Sequence, residues 1–175
     1  FNLASGGNIT ATGSSSSGIK LVSSSSLTAL TNLGTISGTD YGINVSSSSI
    51  TTFNNRQSGL TYNGVLPTNY NIVVNSTSDY GRTVFSSVSG STTFGIYTGS
   101  VLAEETTYTS VVDGLTSSNI VAESGTYTDS GKTYAWTLNN VSANLWDLVI
   151  GLCDGCAPSA ESTLTSIETA RDAIS

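Results

Sequence analysis

Cys153-Asp154-Gly155-Cys156 is the stretch whose residue types and spacing could most readily carry chemistry. Two thiols so close together can cycle between dithiol and disulfide. That work needs a thioredoxin-like strand–helix–strand setting, and no such pattern surrounds them. They could instead supply half of a zinc site, but no second pair exists and the chain contains no histidine to complete it. Three states remain open: a small disulfide across the Asp-Gly turn, free thiols or a link to another chain, and redox or metal chemistry.

The other reactive groups are scattered. Glu104 and Glu105 are adjacent, and neighbours on a strand point to opposite faces. Asp79, Asp113, Asp129 and Asp147 each stand at or near turn residues, where side-chain hydrogen bonds to the backbone account for them without catalysis. A glycosidase would need two convergent acids, which spacing alone neither requires nor forbids here. Serine is abundant, yet no Gly-x-Ser-x-Gly elbow is present and no histidine could act as its base. The Thr-x-Thr pairs Thr10/Thr12 and Thr126/Thr128 do not recur in register, which argues against a flat ice-binding face. The expectation is a protein with no catalytic residues, no metal and no cofactor.

Composition narrows the partners. Lysine and arginine together number 5 against 12 acids, for a net charge of −7, so no basic patch exists to neutralise phosphates. Nucleic acid and anionic membrane surfaces are therefore disfavoured. Only 10% of the residues are charged while 37% are hydrophobic, the opposite of the balance that keeps chains disordered.

The elements that must position these residues are announced by a near-repeat. Gly18-Ile19-Lys20-Leu21-Val22 runs into Ser23 to Ser26 and then Leu27-Thr28-Ala29-Leu30-Thr31-Asn32. Gly42-Ile43-Asn44-Val45 runs into Ser46 to Ser49 and then Ile50-Thr51-Thr52-Phe53-Asn54-Asn55. The offsets are 42 − 18 = 24 at the glycines, 50 − 27 = 23 at the aliphatics and 55 − 32 = 23 at the asparagines. A period of about 20 to 30 residues marks stacked structural units that bury their apolar faces against one another. Leu27 should therefore lie over Ile50, Leu30 over Phe53, and Asn32 and Asn55 should form an amide ladder. Fainter echoes at Ile9, Ile36 and Leu60 point to a third column. Recurrent aliphatics between the serine runs distinguish this pattern from a low-complexity linker.

Pro67 ends the short-period repeat. Beyond it, β-branched and aromatic runs bounded by Gly, Asn, Asp and Ser predict strands over 70–75, 83–88, 92–97, 107–112, 119–122, 132–138 and 145–150. Tyr134, Trp136 and Leu138 alternate with Thr133, Ala135 and Thr137, which puts the three large side chains on one face. Both tryptophans and most tyrosines lie after Asn69, so this part should hold the denser core and close the open end of the stack.

The successions Ser91-Thr92-Thr93-Phe94-Gly95-Ile96-Tyr97, Thr107 to Leu115, Trp136-Thr137-Leu138 and Trp146-Asp147-Leu148-Val149-Ile150 resemble the C-terminal passenger region of bacterial autotransporters. The final stretch fits the same picture. Ser159 can cap a helix with Glu161 in its first turn, and Leu164, Ile167 and Ile174 recur at helical spacing. It looks like the linker helix that leads, in such proteins, to an outer-membrane barrel. The resemblance implies an extracellular or cell-surface location and, in the full-length protein, the barrel as partner. In that oxidising setting the expected state of Cys153 and Cys156 is a disulfide, contributing roughly 2 kcal/mol. The pair departs from the family pattern, whose passengers are poor in cysteine.

The fold expected is all-β: a right-handed parallel β-solenoid over 1–66, a C-terminal capping β region over 67–150, and a Cys-containing turn with a short helix over 151–175. Because Phe1 falls straight into the pattern, the chain is expected to be an internal piece of a longer protein. The expected function is a non-enzymatic structural or adhesive segment. The alternatives are a filament subunit that self-associates by strand addition and, third, a polysaccharide-acting enzyme.

Overall fold

A computed structural model describes residues 1–152. The elements are β1 (Asn2–Leu3), β2 (Asn8–Ala11), β3 (Ser17–Leu21), β4 (Ser26–Asn32), β5 (Thr35–Gly38), β6 (Tyr41–Val45), β7 (Ser49–Asn55) and β8 (Ser58–Val65). They continue with β9 (Asn69–Ile72), β10 (Arg82–Ser89), β11 (Thr93–Ile96), β12 (Thr106–Asp113), β13 (Ser124–Asp129), β14 (Lys132–Ser142) and β15 (Leu145–Leu152). Among the described residues the only helical turn is a 3-10 turn at Ser117–Asn119. The expected C-terminal helix and the Cys153–Cys156 bridge lie outside the described residues.

The protein is all-β and built largely on parallel pairing. One sheet runs β1-β4-β7-β9-β11, parallel throughout. A second runs β3-β6-β8-β10-β12 in parallel and is extended by the antiparallel strands β15, β14 and β13. A small third sheet pairs β2 with β5. Each successive strand of the first sheet is separated from the next by a strand of another sheet, so the chain visits the sheets in turn.

The near-repeat is realised as register. Leu27 pairs with Ile50, Leu30 with Phe53 and Asn32 with Asn55 across β4 and β7. Pro67 does not interrupt the parallel pairing, because β9 adds to β7 and β10 adds to β8. Like residues therefore stack into columns: Leu30–Phe53–Tyr70–Phe94 in the first sheet and Ile19–Ile43–Tyr62–Phe85 in the second. The two columns face each other and their rings interlock. Phe53 lies 5.6 Å from Tyr70 and 5.9 Å from Tyr62, and Phe85 lies 5.4 Å from both tyrosines. Phe94 hands the series on to Trp136 at 5.4 Å. Tyr134, Trp136 and Leu138 are all buried, as their alternation predicts.

The serine runs are corners. Ser23, Ser24 and Ser47 adopt φ values of 61°, 59° and 54°, a left-handed conformation that lets the chain turn between strands. Side chains with a Cβ are strained there by about 1 to 2 kcal/mol. Ser24→Gly is therefore expected to raise stability by about 1 kcal/mol, read as a shift in the midpoint of urea unfolding. An unchanged or lower midpoint would mean that the hydroxyl, and not the backbone, governs this corner.

Candidate functional site

Asn32 and Asn55 are both fully buried, and their carboxamides form the predicted ladder: Asn32 Nδ2 donates to Asn55 Oδ1 at 3.1 Å. The ladder is wired into a larger corner. Asn55 Oδ1 accepts the Gln57 backbone N–H at 3.0 Å, and Asn55 Nδ2 donates to the Gln57 carbonyl at 2.9 Å and to Thr83 Oγ1 at 3.0 Å. Thr83 Oγ1 in turn meets Tyr70 Oη at 2.7 Å. Asn32, Asn55, Thr83 and Tyr70 all have hydrogen-bond partners, so the corner is a satisfied network and not a store of unmet donors.

Gln57 explains why the third sheet stops at two strands. Its Oε1 accepts the Ile36 N–H at 2.7 Å and its Nε2 donates to the Ile36 carbonyl at 3.1 Å. One side-chain amide thus stands where the backbone of a third strand would be. The faint sequence echo from Ile36 to Leu60 is corrected here. Leu60 lies in β8 of the second sheet, paired with Thr83, because the chain turns at Gln57 without laying a strand on β5.

Burial also sets the behaviour of the two central tyrosines. Desolvation raises the Tyr70 pKa to about 12, only partly offset by hydrogen bonds with Thr83 and Asn55. Desolvation pushes the Tyr62 phenol up as well, while its Oη donates to the Val65 carbonyl at 2.6 Å. An acid whose folded pKa exceeds its unfolded value near 10 holds its proton more tightly when folded. Stability is therefore complete below about pH 10 and falls above it by about 1.4 kcal/mol per pH unit for each such tyrosine. Unfolding and phenolate absorbance should rise together above that pH. A phenolate signal that saturates with β-sheet circular dichroism intact would contradict it.

Outside, the sheets carry neutral polar columns. Asn54 Nδ2 donates to Thr31 Oγ1 at 2.9 Å, and Asn71 Nδ2 donates to Asn54 Oδ1 at 2.8 Å. The row ends at Gly95, where an added Cβ would come within 2.5 Å of Asn71 Oδ1. Asn63 repeats the device on the second sheet by donating to Asn44 Oδ1 at 3.3 Å. Where the third sheet ends, a cleft of about 470 Å³ opens, lined by Ser5 to Asn8, Leu33 to Thr35, Arg56 to Ser58, and Asp79. Its charged wall is a two-point ion pair: Arg56 Nε reaches Asp79 Oδ1 at 3.1 Å and Nη2 reaches Oδ2 at 2.9 Å. Partial burial alone would raise the Asp79 pKa, but Arg56 and a hydrogen bond from Asn75 outweigh it and hold the carboxyl below its usual range.

Cys153 and Cys156 lie outside the described residues. Glu104 pairs with Lys132, Asp129 accepts from Ser130, and Asp147 Oδ1 accepts the Ser110 N–H at 2.7 Å beside a bulge in β12. Asp113 lines a groove of about 410 Å³ with Arg82, Ser110 and Leu145. No three acids, cysteines or histidines gather to hold a metal ion among the described residues. Sequence reasoning missed Gln57 and the Arg56–Asp79 pair. The Arg-Gln step after Asn55 breaks an otherwise apolar or hydroxylated pattern and was the available signal. No family model, curated protein or solved structure matches the chain.

Proposed function

We propose that this chain is a right-handed parallel β-solenoid segment of an exported bacterial surface protein, acting as a non-enzymatic stalk or adhesive surface. The observation that carries the reading is the register: Leu30, Phe53, Tyr70 and Phe94 stack in one column while the chain passes through the other sheets between them. Parallel strands joined by crossovers are right-handed in about 98% of cases, which sets the expected hand. Within the region 67–150 expected as the cap, β9 to β12 continue the parallel pairing, and the antiparallel strands β13 to β15 then close one end of the stack and shield its edge. The outward columns of Thr and Asn cover the sheets with neutral, mutually hydrogen-bonded side chains and almost no charge. The acids described above are each turned to structural partners or stand singly, which favours a scaffold over an enzyme.

A second reading is a filament built by strand addition between copies, through the edges of β1, β2 and β3, which have no partner among the described residues. Leu3, Ile9, Ile19, Leu21 and Leu27 at that end are only partly buried, while their partners further along are fully covered. Negative-stain electron microscopy of the native protein, with protease treatment of intact cells, tests both. Isolated rods that are stripped from the cell surface are expected. Long axial filaments would favour the second reading, and compact round particles or complete protection from protease would overturn the first.

A further inference from the structure

Four Asn-x-Ser/Thr triplets occur in the described chain: Asn8-Ile9-Thr10, Asn44-Val45-Ser46, Asn75-Ser76-Thr77 and Asn140-Val141-Ser142. That triplet is the acceptor pattern for N-linked glycosylation, and it is productive where the asparagine amide is accessible. The structure separates the four sharply. Asn75 Nδ2 is committed to Asp79 Oδ2 at 2.8 Å, and Asn140 Nδ2 to the Ala143 carbonyl at 3.0 Å. Asn44 is partly buried in the outer amide row under Asn63. Asn8 is exposed, and its Nδ2 donates to no group among the described residues. The strand geometry of β2 puts Asn8 and Thr10 on one face, and Thr10 Oγ1 donates to Asn8 Oδ1 at 2.8 Å. The hydroxyl of the triplet thus holds the carboxamide by its oxygen and leaves the nitrogen free.

We infer that Asn8 is an N-glycosylation site, with a sugar attached at Nδ2 and accommodated beside the cleft that Asn8 lines. That cleft offers hydroxyl groups from Thr35 and Ser58 and the Arg56–Asp79 pair, a lining suited to a polyhydroxylated ring. The co-reactants are a phosphate-activated sugar, nucleotide- or lipid-linked, and a transferase of the producing cell. In the transfer, the bond from Asn8 Nδ2 to the anomeric carbon forms and the anomeric C–O bond to phosphate breaks. The phosphate departs with the electron pair, and the amide loses one proton to a base of the transferase. No oxidant or reductant enters. The assignment rests on the local geometry of β2 and not on the solenoid or surface reading, so its failure would leave those untouched.

The test is mass mapping of the protein purified from its own cells, using the tryptic peptide that ends at Lys20. Whole-sugar mass increments on that peptide are expected. They should vanish completely in Asn8→Gln and Thr10→Ala and persist in Thr10→Ser. Since Asn8 and Thr10 are exposed, the variants should keep the parent circular dichroism spectrum, which checks folding directly. An unmodified peptide in the parent protein, sugar confined to the other three triplets, or sugar retained in Asn8→Gln would overturn the assignment.

Discussion

Phe53→Ala is expected to lower the stability of the chain by about 3 to 5 kcal/mol. The ring is fully buried, sits in mid-column between Leu30 and Tyr70, and lies between two further rings, Tyr62 and Tyr70, at 5.9 and 5.6 Å. Truncation removes the transfer energy of the ring and leaves a cavity that neighbours fixed by β-ladders can fill only in part. Each aromatic pair adds about 0.5 to 1.5 kcal/mol beyond buried area. Against a usual total of about 5 to 15 kcal/mol, that loss leaves the domain marginal at room temperature. Phe1→Ala is the control: its ring is 56% exposed and the change should stay within about 0.5 kcal/mol. Urea unfolding followed by circular dichroism measures both. Equal midpoints for the two variants would show that the ring column does not hold the sheets together.

Asn55→Asp should be as damaging at neutral pH, for a different reason. The side chains are nearly the same size, so no cavity forms. The carboxylate cannot donate, which leaves the Gln57 carbonyl without its partner and breaks the bond to Thr83 Oγ1. It also places a charge at a site with no solvent exposure. Orphaned buried groups cost about 1 to 3 kcal/mol each, and an uncompensated buried charge costs more. Desolvation raises the folded pKa of the new acid above its unfolded value. The variant is therefore most stable at low pH and loses stability as pH rises toward that folded pKa. Thermal melts of parent and variant from acid to neutral pH would show it. A gap between them that stays constant across pH would mean that Asn55 matters only as an amide link.

The two variants probe different layers of legibility. Both columns were readable beforehand, since Leu27, Leu30 and Asn32 recur 23 residues later as Ile50, Phe53 and Asn55. Identical offsets between like residues leave parallel stacking as the arrangement that buries all of them at once. Tyr70 and Phe94 were harder to see. Tyr70 follows Phe53 by only 70 − 53 = 17 positions, which breaks the period before Phe94 resumes it at 94 − 70 = 24, and only the register of β9 and β11 restores both to the column. The run 119–122, expected as a strand, forms only a single bridge from Ile120 to Thr92, because the 3-10 turn just before it takes up the chain. Gln57 left only the Arg-Gln interruption after Asn55 as a trace, for a plainer reason: a side chain that imitates a strand has no strand signature.

By itself the sequence determined the local alphabet. Alternation and β-branched runs called for strands, serine and glycine clusters called for corners, and the spacing of aliphatics set which residues share a column. These are decided by backbone sterics and by period, which act over a few residues or between copies. The tertiary structure alone decided where the stacking passes from parallel to antiparallel. It also decided that one amide would terminate the third sheet and open a cleft, and that Arg56 and Asp79 would meet across 23 positions. Those outcomes depend on which groups face each other after closure of loops of variable length, and no local pattern encodes that distance.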